Sequence, residues 1–182
     1  GAERAVIPVE ARFSLAAPTL DTGVAYVPCK SPQLLAVDLA GDLRWRYTDP
    51  DADAWLDKTP LVLGERVVAV LSTGAVVALD AAAGAVAWRV AVGPAGKALS
   101  PPATDGERLY VGARDGLYAL ALEEDGRELW RVPTERRIAA APVVHRGGVY
   151  AAGHDHHVRA VDAASGEVLW SHKVPRRLEV AP

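Results

Sequence analysis

Four segments of this chain end in the same five-residue phrase, and that repeat restricts the fold more than any other feature of the sequence. The phrase is Gly-x-x-x-Trp, running from Gly41 to Trp45, Gly84 to Trp88, Gly126 to Trp130 and Gly166 to Trp170. The four Trp lie 43, 42 and 40 residues apart. A second element precedes each Gly: Ala36-Val37-Asp38, Ala78-Leu79-Asp80, Ala119-Leu120-Ala121 and Ala160-Val161-Asp162. A proline opens each unit, at Pro18, Pro60, Pro102 and Pro142. Three markers in one order, four times over, define a tandem repeat, and missing it would misassign the whole fold.

Within each unit the local signals are β. Stretches such as Val67-Val68-Ala69-Val70 and Arg108-Leu109-Tyr110-Val111 are short and rich in β-branched or aromatic residues. Asp105-Gly106, Asp115-Gly116, Asp125-Gly126 and Ser165-Gly166 punctuate them as turns, since Gly tolerates positive φ and Asp accepts local backbone hydrogen bonds. Ala81-Ala82-Ala83 reads as a tight loop rather than helix. Each unit has room for about four strands. A sheet that small cannot cover its own faces, so successive sheets must stack, and radial stacking gives a β-propeller.

The sequence thus predicts an all-β fold of four blades, each of four antiparallel strands, over residues 14–55, 56–97, 98–137 and 138–177. Residues 1–13 are expected to form the outer strand of a preceding blade or an N-terminal extension, and 178–182 to begin a fifth repeat. The repeated Trp is expected to wedge between neighbouring blades, with its indole N–H donating to a backbone carbonyl of the adjacent blade. Burying its roughly 150–250 Å² is worth about 4–6 kcal/mol gross, an upper bound. Asp38, Asp80 and Asp162 are expected to cap loop N–H groups. Ala121 stands in the same place of the third unit, so the Asp is helpful rather than indispensable and its role is structural.

The run Ala141-Pro142-Val143-Val144, Gly148-Val149-Tyr150 and Ala160-Val161-Asp162-Ala163-Ala164-Ser165-Gly166-Glu167-Val168-Leu169-Trp170 resembles the PQQ-like repeat of quinoprotein-type β-propellers. The resemblance covers the chain from about Leu15 to Pro182 and is specific for fold. It implies a ring of seven or eight blades in the complete structure. For function it implies several alternatives, because the family includes quinone-dependent alcohol dehydrogenases, an outer-membrane assembly scaffold and sensor domains of bacterial serine/threonine kinases. The quinone enzymes carry a calcium site, a catalytic Asp and often adjacent disulfide-bonded cysteines. Cys29 is the single cysteine here, so the vicinal pair cannot exist, and no cofactor is expected.

Composition narrows the rest. A net charge of -3 with interspersed signs gives no basic field for nucleic acid. No apolar run of about 18 residues is present, so no membrane insertion is expected. The chain starts at Gly1 and contains no Met, which suggests a processed product or part of something longer. Its compartment is left open, cytoplasmic or extracytoplasmic with any signal or anchor removed. No nucleophile elbow, P-loop, His-Glu-x-x-His or dinucleotide fingerprint occurs, and the chain is read as a non-enzyme.

Two constellations remain. His154-Asp155-His156-His157 places His154 and His156 two residues apart, a spacing that serves a metal if they share one side of a strand and turn residues if they do not. Asp49-Pro50-Asp51-Ala52-Asp53 resembles the opening of a calcium loop but has Ala54 where Gly is needed and Pro60 where the closing Glu belongs. It is read as an acidic inter-blade loop. Trp55, the Trp outside the repeat, follows it, making Trp55, Asp51 and Asp53 a candidate protein interface. The functional expectation is a non-catalytic binding or scaffolding module that presents rim loops to a protein partner. The alternatives are the ligand-sensing domain of a larger signalling protein such as a bacterial kinase, and a fragment of a quinone-dependent oxidoreductase. For closure, three expectations stand: a fragment of a larger ring, a homodimer completing an eight-bladed ring, or four blades closing alone.

Overall fold

The computed structural model describes residues 12–14, 16–93, 100–123 and 125–175. The regular structure there is all β, in four sheets. The first contains β1 (Arg12–Phe13), β2 (Thr19–Asp21), β3 (Val24–Lys30), β4 (Gln33–Asp38) and β5 (Leu43–Thr48). The second has β6 (Leu61–Leu63), β7 (Arg66–Val70), β8 (Ala75–Asp80) and β9 (Val86–Ala91). The third has β10 (Ala103–Thr104), β11 (Arg108–Gly112), β12 (Gly116–Ala121) and β13 (Glu128–Pro133), and the fourth β14 (Val143–His145), β15 (Gly148–Ala152), β16 (His157–Asp162) and β17 (Val168–Lys173). Each sheet is an antiparallel meander with its strands in chain order, except that in the first sheet β1 and β2 both pair with β3. Of the residues expected to belong to a preceding blade, only β1 is described. It extends the first sheet by pairing with Cys29 and Lys30, beyond the point where β2 stops. The expected fifth repeat lies outside the described residues.

Stacking explains the strand compositions. The third strands of the two middle sheets, β8 and β12, are covered on both faces and buried almost throughout. They therefore read as continuous apolar runs instead of alternating ones. The outer strand β5 alternates, burying Trp45 and Tyr47 and exposing Arg44 and Arg46. Three apolar clusters fill the spaces between successive sheets. The first joins Tyr26, Leu34, Trp45 and Tyr47 to Val67, Val77 and Leu79. The second joins Val68, Val76 and Trp88 to Leu109, Leu120 and Leu122. The third joins Tyr110, Leu117 and Val132 to Ile138, Val149 and Val161.

The repeat markers meet at these interfaces. In every sheet an Ala of the third strand faces the Trp of the fourth: Ala36 and Trp45, Ala78 and Trp88, Ala119 and Trp130, Ala160 and Trp170. The small side chain makes room for the large one. A β-bulge follows immediately in each, between Ala and the next residue. The indoles then reach forward. Trp45 Nε1 donates to the carbonyl of Ala81 at 2.9 Å, Trp88 to Leu122 at 2.7 Å and Trp130 to Ala163 at 3.0 Å. Each acceptor is the residue just after the Ala-x-Asp element of the following sheet.

The Gly of the phrase belongs to the same contact. A Cβ on Gly84 would lie 2.6 Å from the Trp45 ring, and one on Gly126 would lie 2.6 Å from Trp88. Gly is required there twice over, because φ is +69° and +67° at the two positions and the preceding sheet's indole occupies the side-chain space. Asp38, Asp80 and Asp162 accept loop N–H groups, Asp80 from Ala82 and Ala83 at 3.0 and 2.7 Å. Trp170 differs from its three counterparts. It is 47% exposed, whereas Trp45 and Trp88 are 9% and 7% exposed. β17 is exposed along its whole length and Leu39 of the first sheet is 77% exposed, so among the described residues the four sheets form an open arc. The expectation of four blades closing alone is corrected on that point. A self-closed ring would cover Trp170 as Trp45 and Trp88 are covered.

Candidate interaction surface

One rim of the arc is built from segments that lead into the blades. Among the described residues, the segments leading into the second and fourth blades lie along the turn between the second and third strands of the blade they enter. In the second blade Trp55 N donates to Ser72 Oγ at 3.1 Å, and Ser72 N donates to the Trp55 carbonyl at 2.9 Å. In the fourth blade His154 N donates to the Arg137 carbonyl at 2.9 Å. Trp55 and Arg137 therefore hold equivalent places on one rim. The next residue of each segment, Leu56 or Ile138, is fully buried and pins the segment down. Rigid backbone beneath an exposed side chain is the arrangement that recognition surfaces use.

On this rim Trp55 is 43% exposed, and Asp53 is exposed while Asp51 is half-buried. Asp51 Oδ1 accepts the Asp53 N–H at 3.1 Å, so part of its capacity is spent holding the loop. Asp49, the first residue of the acidic inter-blade loop, does not belong to this surface. Its side chain is fully buried. It accepts from Tyr47 Oη at 2.6 Å and from both Arg89 Nε at 2.8 Å and Arg89 Nη2 at 3.0 Å. Burial pushes the Asp49 carboxyl up, but the Arg89 and Tyr47 hydrogen bonds, the Asp51 N–H and the Arg89 charge together hold it below the usual carboxylate range. The forked pair ties the loop after the first blade to the outer strand of the second.

A related arrangement recurs in the third blade. Tyr118 Oη donates to Asp115, Arg131 pairs with Asp115 at 2.5 Å, and the Arg131 guanidinium lies 5.3 Å from the Tyr118 ring centre. Burial first, then the Asp115 hydrogen bond and charge, push the Tyr118 hydroxyl up to about 12. Sequence reasoning missed these pairs. A signal was present, since Arg follows the repeat Trp in three units, at Arg46, Arg89 and Arg131.

The two His of the candidate metal site lie in the turn between β15 and β16, not on a strand. Strand alternation therefore does not put their rings on one side. His156 has a positive φ of 63°. Asp155 between them is buried and bound by both Nη atoms of Arg159, at 3.2 and 2.5 Å. Burial raises its carboxyl, and the Arg159 and His157 contacts lower it further than burial raises it. Among the described residues no three His, Cys, Asp or Glu side chains gather as a metal site. The turn instead borders an open depression of about 620 Å³ lined by Glu135, Arg136, Asp155, His156, Lys173 and Val174. The structure thus brings the connector residues Glu135 and Arg136 and the His turn together, two blades away from Trp55.

Comparison with known proteins agrees with this architecture. The family model described as outer membrane protein assembly factor BamB matches residues 7–100 and 72–181, which together run almost the length of the chain. The chain belongs to the BamB family. The BamB of Bordetella pertussis is 30% identical over 116 residues, covering 64% of this chain and 29% of that protein. The BamB of Burkholderia pseudomallei is 31% identical over 127 residues, covering 68% and 32%. The chain therefore spans about a third of the length of the curated relatives it matches. The crystal structure of BamB from Moraxella catarrhalis superposes with a TM-score of 0.72 at 24% identity, over 85% of this chain and 51% of that one. The quinohemoprotein alcohol dehydrogenase ADHIIG of Pseudomonas putida HK5 superposes with a TM-score of 0.74 at 18% identity, over 92% and 35%, a likeness of fold.

Proposed function

We propose that the chain is a non-catalytic, protein-binding propeller module of the outer-membrane assembly type, and that the rim of leading segments is its docking surface. The observation that carries this reading is Trp55. An indole 43% exposed on backbone pinned by Leu56 and Ser72 suits a contact anchor, because exposed aromatics on rigid supports dominate interface energetics. Asp51 and Asp53 beside it add negative charge that selects and steers a basic partner. The relatives named as assembly factors support a protein partner. In this reading the turn at His154 and His156 shapes the rim and carries no metal, and no residue is assigned a catalytic role.

The test is capture of proteins from a detergent extract of bacterial envelope by the immobilised chain. Trp55→Ala should lower capture of a specific partner by about tenfold or more, as loss of a hot-spot aromatic does, with circular dichroism unchanged. Asp51→Lys with Asp53→Lys should lower it further at low salt. Full capture by all variants would remove this rim from the account.

A further inference from the structure

The two open ends of the arc carry the two halves of one contact. At the fourth sheet the projecting half is free. Trp170, Val168, Leu169 and Val174 are 47%, 42%, 56% and 38% exposed, and every residue of β17 is exposed. Tyr150 backs the indole at 6.1 Å between ring centres, as Tyr26 and Tyr110 back Trp45 and Trp130 at 5.8 and 5.7 Å. The knob is therefore preformed. At the first sheet the receiving half is free. Gly41 has the positive φ, +93°, shared by Gly84, Gly126 and Gly166, and Asp38 Oδ1 holds the turn through Ala40 and Asp42 at 2.9 Å each. Leu39 occupies the position of the indole acceptors Ala81, Leu122 and Ala163. Its counterparts Leu122 and Ala163 are 2% and 4% exposed, whereas Leu39 is 77% exposed.

From this complementarity we propose that a second copy of this chain docks here, the fourth blade of each on the first blade of the other, closing an eight-bladed ring. Trp170 of each copy seats over Gly41 of its partner and donates its indole N–H to the carbonyl of Leu39. The argument for a second copy is that the socket matches the knob residue by residue, in the pattern the chain already uses three times internally. The arc also covers 51% of the Moraxella catarrhalis BamB chain, so one further arc of equal size supplies the remaining length of such a propeller. The contact is heterologous and is made twice about a twofold axis, so it closes instead of propagating. This inference does not depend on the rim reading above, and its test uses no partner protein.

The experiment is sedimentation equilibrium on the chain and two surface variants. Wild type should reach twice its 19.2 kDa mass. Trp170→Ala spoils the knob and Leu39→Lys spoils the socket, and both residues are exposed in the single chain, so both variants should fold. Each alone should raise the dimer Kd by about tenfold or more per contact and run as a monomer. Mixed together they retain one intact contact, the Trp170 of one with the Leu39 socket of the other, and should recover a dimer. Several results overturn the proposal. A wild type that is monomeric throughout does so, as does a dimer indifferent to Leu39→Lys, which means that the Trp170 faces pair with each other. Masses above the dimer mean that the contact does not close, and failure of the mixture to recover a dimer means that knob and socket are not partners.

Discussion

Truncating the same residue at two equivalent places separates the contact from the side chain. Trp88→Ala removes an indole that is 7% exposed and donates to Leu122 at 2.7 Å. Burial of roughly nine-tenths of 150–250 Å² at about 25 cal/mol per Å² gives about 4–5 kcal/mol gross. Truncating buried aromatics to Ala costs about 3–5 kcal/mol in practice, the cavity included. We therefore expect a loss of about 4 kcal/mol. Trp170→Ala removes an indole that is 47% exposed and has no following sheet to meet, so only about half of that area is lost, about 2–3 kcal/mol gross and about half the loss at Trp88. The comparison is best made in a Leu39→Lys background, which keeps the chain single, by urea unfolding followed through circular dichroism. With a slope of about 2 kcal/mol per M, Trp88→Ala should lower the midpoint by about 2 M and Trp170→Ala by about 1 M or less. Equal shifts at the two sites would refute the claim that the next blade, not the local sheet, stabilises each Trp.

Other substitutions test neighbouring parts of the account. Gly126→Ala should cost about 2 kcal/mol or more, from positive φ and displacement of the Trp88 ring, read as a lowered melting temperature. Installing the missing cap with Ala121→Asp should raise the urea midpoint, opposite Arg108 in the strand pairing, while Asp162→Ala should lower it. For Asp49 the pH dependence has a defined sign. Its carboxyl is depressed in the folded chain, so its contribution is complete above the unfolded value near 3.9 and is lost as pH falls through the lowered folded value. Arg89→Met removes the forked hydrogen bonds and the charge that lower the carboxyl, so the variant should be destabilised by about 3–5 kcal/mol at neutral pH and lose less of its remaining stability than wild type as pH falls. Urea midpoints measured between pH 3 and 7 for both proteins check this.

How far the sequence could be read depends on how local each interaction is. The repeat, the all-β units, the Asp caps and the forward-reaching indoles follow from spacing and from the need to pair every buried donor. The seat beneath each indole did not follow. Gly84 and Gly126 read as turn residues, and only the neighbouring sheet shows that they also accommodate Trp45 and Trp88. The burial of Asp49 is not legible in the sequence, because an acidic run looks solvated until its partner is known, and Arg89 lies 40 residues away in the sequence. The two-residue spacing of His154 and His156 fits either a strand or the turn between the second and third strands, and the turn, in which Gly153 N donates to the His157 carbonyl, is visible only in the structure. The rim that joins Trp55 and Arg137 to equivalent places was invisible for the same reason, since the equivalence lies in backbone hydrogen bonds to the next blade's turn.

Hydrogen exchange at the five indole N–H groups, recorded by NMR on the single-chain Leu39→Lys variant, reads the blade-to-blade contact directly. Trp45, Trp88 and Trp130 should be protected to the level of the core amides, and Trp55 and Trp170 should exchange at once. Protection of Trp170 in that variant, or rapid exchange at Trp88, would contradict an arc held together by each indole gripping the sheet that follows it.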